Sequence, residues 1–108
     1  MKIKRQKNFY DCGATVVSML TGLTVSQCRE RLGTLKGYGC FMSDIERVLR
    51  GAGFRLNKSN QITPRCIVRV ELETQSHFIL IWDRITYDPA KGKSNIIPSN
   101  IKEVLEIC

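Results

Sequence analysis

Four side chains of this sequence could act together to break an acyl bond. Cys12 stands in the stretch QKNFYDCGATVVSML, residues 6–20, between an aspartate and a glycine. His77 is the one histidine of the chain and opens the apolar run HFILIW. Asp88 comes near the end of RITYDP, and Gln6 lies six residues before Cys12. An unperturbed thiol, with a pKa of about 8.5, holds little thiolate at neutral pH, so it needs an imidazole or a helix end beside it to become a nucleophile. The chemistry would be acyl transfer. A thiolate attacks a carbonyl, N–H donors bind the oxyanion, and an imidazolium protonates the leaving amine. Residue types alone leave two readings open. Cys12 is either that nucleophile or a small buried side chain in the first turn of a helix, and His77 is either its base or a packing residue.

The elements around these residues must position them. Residues 12–21, CGATVVSMLT, are apolar on most sides, which predicts a largely buried helix ended by Gly22. Cys12 then sits at a helix N-terminus, where unpaired N–H groups favour a thiolate and can also hold an oxyanion. If HFILIW and ITYD form a hairpin across Asp83–Arg84, Trp82 faces Ile85 and Ile79 faces Asp88. Side chains alternate along a strand, so Asp88 would lie diagonal to His77 on the same face, with Cα atoms about 7–8 Å apart. Asp-Arg is not a preferred two-residue turn, and a three- or five-residue loop would send Asp88 to the other face. Asp88 before Pro89 also reads as an ordinary turn residue. The Gln6 amide could donate to an oxyanion beside the Cys12 N–H; alone it reads as part of a solvated basic tail. Asp11 is read as structural, because adjacent residues rarely face each other.

Elsewhere, Thr24 or Ser26 can cap a short helix through QCRERLG that closes at Gly33. TLKGYGCFM reads as a loop. SDIE reads as a capping box, Ser43 with Glu46, opening a helix to about Gly51–Gly53 with Ile45, Val48, Leu49 and Ala52 on one face. FRLN is a short strand candidate, followed by a loop, NKSNQITP. RCIVRVEL, SHFILIW and RITYDP are rich in β-branched and aromatic residues, and the middle one is apolar on both faces, as a central strand would be. A loop at AKGKSN, a strand at IIP and a last short helix, IKEVLEIC, opened by Asn100 with Glu103, complete the expectation. Helices first and sheet second is an α+β order.

The totals bound the rest. At 108 residues the chain is expected to form one domain, 1–108, and at 43% hydrophobic and 25% charged it can bury a core. Neither a membrane-spanning run nor a secretory signal is legible, which places the expectation in the cytoplasm. The net charge is +7, with Lys2, Lys4, Arg5 and Lys7 at the start and the other basic residues scattered. That distribution reads as a solvated basic surface rather than a nucleic-acid site. Five cysteines without a C-x-x-C pair favour reduced thiols over a disulfide framework or a zinc site. Cys28, Cys40 and Cys66 are expected in the core and Cys108 as an exposed thiol.

These motifs, in order, resemble the bacteriocin-processing, double-glycine leader peptidases, a branch of the papain-like cysteine proteases. The family pattern is a glutamine, a short spacer and D/E-C-G before small and apolar residues, matched by QKNFYDCGATVVSML. A histidine strand ending in an aspartate–proline turn is matched by HFILIWDRITYDPAKG. The intervening loop, helix and strand are matched by GYGCFMSDIERVLRGAGFRL, and the segment before the histidine strand by ITPRCIVRVEL. The resemblance implies a papain-like α+β fold, with the cysteine helix packed against an antiparallel sheet. It implies Cys12 as nucleophile, His77 as base and acid, Asp88 as the group that holds the imidazole, and Gln6 in the oxyanion hole. It implies a peptide or protein substrate, cut after small residues such as glycine, and no cofactor. In the family this domain usually precedes a membrane-embedded export ATPase. Here no span or nucleotide motif follows, so the resemblance is to a compact, stand-alone domain. An amidase, isopeptidase or acyl transferase using the same residues, and a peptide-binding module without chemistry, are the alternatives.

Overall fold

The computed structural model describes residues 1–34 and 39–108. Its elements run α1 (Cys12–Thr21), α2 (Val25–Leu32), α3 (Met42–Gly51), β1 (Leu56–Ser59), β2 (Cys66–Glu71), β3 (Ser76–Trp82), β4 (Ile85–Asp88), β5 (Gly92–Ser94) and β6 (Ile101–Ile107), with one 3-10 turn, Phe9–Asp11, leading into α1. The architecture is α+β, three helices on a six-stranded sheet of order β1-β6-β2-β3-β4-β5 in which neighbours pair antiparallel. The part of the expected TLKGYGCFM loop at 35–38 lies outside the described residues. No helix among the described residues is long and apolar enough to cross a membrane.

The helices end and begin where local chemistry dictates. Gly22 turns to φ 79° and its N–H bonds the Ser18 carbonyl, while Gly33 at φ 72° closes α2. Thr24 caps α2, and its hydroxyl accepts from the Gln27 N–H while the Gln27 amide accepts from the Thr24 N–H. The Ser43–Glu46 box expected for α3 does not form. The helix starts two residues earlier, with Phe41 at the cap; the Asp44 carboxylate takes the Phe41 N–H at 2.8 Å, and Glu46 pairs with Arg50 one turn on. Ile45, Val48 and Leu49 are buried as expected, whereas Ala52 falls at the helix end and is exposed.

The sheet is buried on both faces. Ile67, Phe78, Leu80, Tyr87 and Leu105 pack against the helices, and Val68, Val70, Ile79, Ile81 and Val104 form a second cluster on the far side. Fully burying an aliphatic side chain contributes roughly 1.5–3 kcal/mol, so β3, apolar on both faces, anchors both layers.

Three expectations for the C-terminal part are corrected. IKEVLEIC is not a helix; residues 101–107 are β6, slotted between β1 and β2 with a register shift at Arg69/Val70. Backbone pairing on both sides outweighs a local capping pattern, and Glu103 bonds Arg69 at 2.6 Å instead of closing a helix turn. IIP is not a strand, and a short strand forms earlier, as β5 within AKGKSN.

The hairpin between β3 and β4 is a two-residue turn with both central residues left-handed, Asp83 at φ 52° and Arg84 at φ 68°, so Trp82 faces Ile85. Two non-glycine residues there are strained. The turn is held from outside: Arg65 bonds the Asp83 carboxylate at 2.7 Å and stacks on Trp82, and the Arg84 N–H donates to the Pro64 carbonyl. Replacing Arg84 by glycine relieves one strained residue at the cost of added freedom in the unfolded chain. We expect Arg84→Gly to raise the unfolding free energy by about 0.5–1 kcal/mol in urea titration; a loss of stability would show that the turn is not strained at Arg84.

Candidate active site

The two-residue turn sets the parity of everything downstream. The β3–β4 register pairs Leu80 with Tyr87, and one further step places Asp88 opposite Ile79, on the face that His77 shares. The gap closes: His77 Nε2 and Asp88 Oδ1 are 2.7 Å apart, with both residues buried. The backbone N–H groups of Ala90 and Lys91 donate to the same carboxylate oxygen at 2.8 and 3.3 Å, so the turn at Pro89 fixes the carboxylate as well as ending the strand.

Cys12 is the first residue of α1 and is 5% exposed. Its thiol is near enough to the His77 ring to influence the ring's ionisation. Because Nε2 belongs to Asp88, Nδ1 is the nitrogen left for sulfur. Burial works against a charged His77, yet its interactions with Asp88 and Cys12 raise its pKa from 6.5 to about 9. Burial likewise opposes ionisation of Asp88, and its bonds to His77 and the Ala90 N–H hold the carboxyl below its usual range.

Asp11 is 2% exposed, and its carboxylate is taken up by partners other than Cys12. Arg29 of α2 reaches its two carboxylate oxygens at 3.1 and 3.2 Å, and Asn8 donates to it at 3.2 Å. This pair pins the turn before Cys12 onto α2. Gly13 also has a steric reason: a Cβ there would overlap the Cys40 sulfur and press on Ile45 and Phe78 at 3.4 Å. The glycine of the DCG motif lets the helix start seat tightly beneath the site.

Gln6 is tied down by its backbone N–H to the Pro89 carbonyl at 2.9 Å, and Arg5 beside it donates to the Ala90 carbonyl at 2.7 Å. The Gln6 side-chain Nε2 donates one hydrogen to the Asn8 carbonyl at 3.0 Å, which leaves the second free. Its buried Oε1 has no hydrogen-bond partner among the described residues. The structure therefore brings Cys12, His77 and Asp88 together and places Gln6 in the cleft with His77 and Asp88.

That cleft, about 620 Å³, is walled by exposed apolar side chains, Phe9, Leu72, Ile96 and Ile97. A second, of about 460 Å³, contains Cys12 with Tyr10, Cys40, Phe41 and Phe78. Phe9 and Gln75 line both. Sequence reading missed these groove residues. The signal was an apolar pair, Ile96-Ile97, stranded between polar residues and Pro98 with no periodicity to bury it.

No family model and no curated protein matches the chain. Solved structures do, and the fold they share is that of double-glycine peptidase domains. A double glycine motif protease from an AMS/PCAT transporter, in complex with the leader peptide, aligns with a TM-score of 0.76 at 18% identity over 98% of this chain and 89% of that one. The peptidase domain of Streptococcus ComA, a bi-functional ABC transporter involved in a quorum sensing pathway, aligns with a TM-score of 0.79 at 15% identity over 98% and 96%. The fold implied by the DCG and histidine-strand motifs is the fold found.

Two predictions follow from the geometry. With one histidine in the chain, its ring proton resonance reports the site without overlap. We expect it to titrate near 9, and Asp88→Asn to bring the midpoint toward 6.5; a parent midpoint near 6.5 would contradict the described pairing. Because the folded pKa is raised, this group stabilises the fold fully below 6.5, and its contribution is lost as pH rises through about 9. The depressed Asp88 contributes above 3.8 and loses its effect as pH falls below that. Separately, Arg29→Met leaves the Asp11 carboxylate buried without its cation. Arg29 is 37% exposed, so screening discounts the penalty of a fully buried pair, and a loss of roughly 1–3 kcal/mol is expected on chemical denaturation.

Proposed function

We propose that this chain is a cysteine peptidase domain, spanning 1–108, that cleaves peptide or protein substrates by thiol acyl transfer. The observation that carries the reading is the His77 ring, bonded to the Asp88 carboxylate at 2.7 Å and near enough to the Cys12 thiol to be influenced by it. The Cys12 sulfur attacks the substrate carbonyl, and the Cys12 backbone N–H with the free Gln6 amide hydrogen receives the oxyanion. His77, kept protonated by its two partners, donates its proton to the leaving amine. Acylation then removes the negative charge on sulfur, one cause of the raised His77 pKa, so the ring can take a proton from water and complete hydrolysis. Asp88 holds the imidazole throughout. No cofactor enters these steps.

Two features support a peptide substrate with a small residue at the cut. The walls of Phe9, Leu72, Ile96 and Ile97 offer apolar contacts to an extended or helical peptide. Cys12 is buried to all but 5% within its cleft, which favours a small residue such as glycine on the acyl side. The leader peptide bound by the transporter protease of the same fold fits this class.

The test has two parts. Alkylation of Cys12 by iodoacetamide at pH 6, followed by peptide mass spectrometry, should exceed that of exposed Cys108, and the excess should vanish in a folded His77→Ala protein. Product masses from a peptide mixture should show cleavage after small residues, reduced by roughly 10²–10⁴-fold in His77→Ala and abolished in Cys12→Ala. Peptide binding that survives in Cys12→Ala while the parent never turns over would replace the enzyme by a binding module.

A further inference from the structure

A second cysteine shares the cleft of Cys12 and takes no part in the steps above. Cys40 lines the same 460 Å³ cleft, half-buried, with Phe41 and Phe78 around it. Its sulfur occupies the space that a side chain at position 13 would need, so it lies against the Gly13 backbone. Successive Cα atoms are 3.8 Å apart, which places the Cys40 sulfur within about 8 Å of the Cys12 Cα. A disulfide joins Cα atoms about 4.4–6.8 Å apart, so the link forms when the segment carrying Gly39 and Cys40 brings Cys40 within that span of Cys12. Among the described residues, Cys28 and Cys66 are buried and Cys108 is exposed, and none of these lines the cleft of Cys12.

We propose that Cys40 is the resolving thiol for Cys12, so that oxidation by a hydroperoxide converts the pair to a Cys12–Cys40 disulfide and reversibly closes the site. In the first step the Cys12 thiolate attacks one peroxide oxygen. The S–O bond forms, the O–O bond breaks, and the departing hydroxide or alkoxide takes the proton of the His77 imidazolium. Sulfur loses two electrons and the peroxide gains them, giving a sulfenic acid. In the second step the Cys40 sulfur attacks the Cys12 sulfur. The S–S bond forms, the S–O bond breaks, and the hydroxide leaves with the Cys40 proton as water. A dithiol reductant returns two electrons and restores both thiols. Burial, with the charges of Cys12 and Asp44 beside it, pushes the Cys40 thiol up to about 12, so at rest it stays protonated and does not compete for peroxide. Neutralising Cys12 as a sulfenic acid removes one of those charges.

The inference rests on the reactive-thiol part of the proposed function and not on peptide cleavage. A chain that forms the disulfide but cuts nothing keeps the inference and loses the peptidase. The experiment titrates the full chain with hydrogen peroxide at neutral pH, blocks free thiols and maps peptides by mass without reduction. Expected is a Cys12–Cys40 linked peptide, with alkylation of Cys12 falling roughly tenfold or more and returning on treatment with dithiothreitol. In Cys40→Ser and in Cys40→Ala, Cys12 should instead advance to sulfinic and sulfonic acids, and alkylation should not return. The inference is overturned if the parent forms no such link while Cys12 over-oxidises at the same peroxide concentration as in the two variants. It is equally overturned if Cys12 resists peroxide altogether or pairs only with Cys108 of a second copy.

Discussion

The hydrogen bond between His77 and Asp88 joins two groups that neither burial nor backbone proximity would favour singly. An imidazole buried without a partner would lose its charge, and a carboxylate buried without donors would hold its proton. Together, and with the Ala90 and Lys91 N–H groups on the carboxylate, each makes the charged form of the other the stable one. The bond exists only because two strands meet in one register. That register depends on a tight turn made of residues that do not favour it, so the strain at Asp83 and Arg84 and the geometry of the site are parts of one structure. Arg65 and Pro64, at the far end of the sheet from the site, stabilise the turn.

Around this pair the chain assembles from both ends. The N-terminal segment is strapped onto the turn after Asp88 through Arg5 and Gln6, and Lys4 reaches back to Ser18 of α1. The helix start that carries Cys12 is fixed from below by the missing side chain of Gly13 and from the side by the Asp11–Arg29 pair. Position 12 is therefore set by contacts to α2, α3 and β3 rather than by α1 alone. The same close packing at Gly13 brings the Cys40 sulfur to the edge of the cleft.

Much of this was legible in the residues. The apolar run after Cys12, the glycine stops at Gly22 and Gly33, and the doubly apolar β3 are signals of local origin, and each was found where it was expected. The diagonal placement of His77 and Asp88 was readable too, because side-chain alternation is a strict period of two once the turn length is given. Less legible were features decided between segments. Asn100 and Glu103 fit a helix start, but Asn100 adopts φ 57° and feeds a strand. Ser43 and Glu46 fit a capping box, but Asp44 is nearer to the Phe41 N–H once α3 docks. Cys40 read as one more core thiol.

What the sequence by itself determined was the set of chemical groups, the helix that presents Cys12 and the strand that presents His77, because short-range periodicity and capping act within a few residues. Only the tertiary structure decided the fate of residues 101–107, the turn geometry at Asp83–Arg84, the apolar walls at Phe9, Leu72, Ile96 and Ile97, and the neighbourhood of Cys12 and Cys40. Each of these depends on groups far apart in the chain meeting across a sheet or a cleft. A strand slot open on two sides, or a sulfur filling the space of an absent Cβ, has no local signature, since its free energy comes from the partner and not from the segment itself.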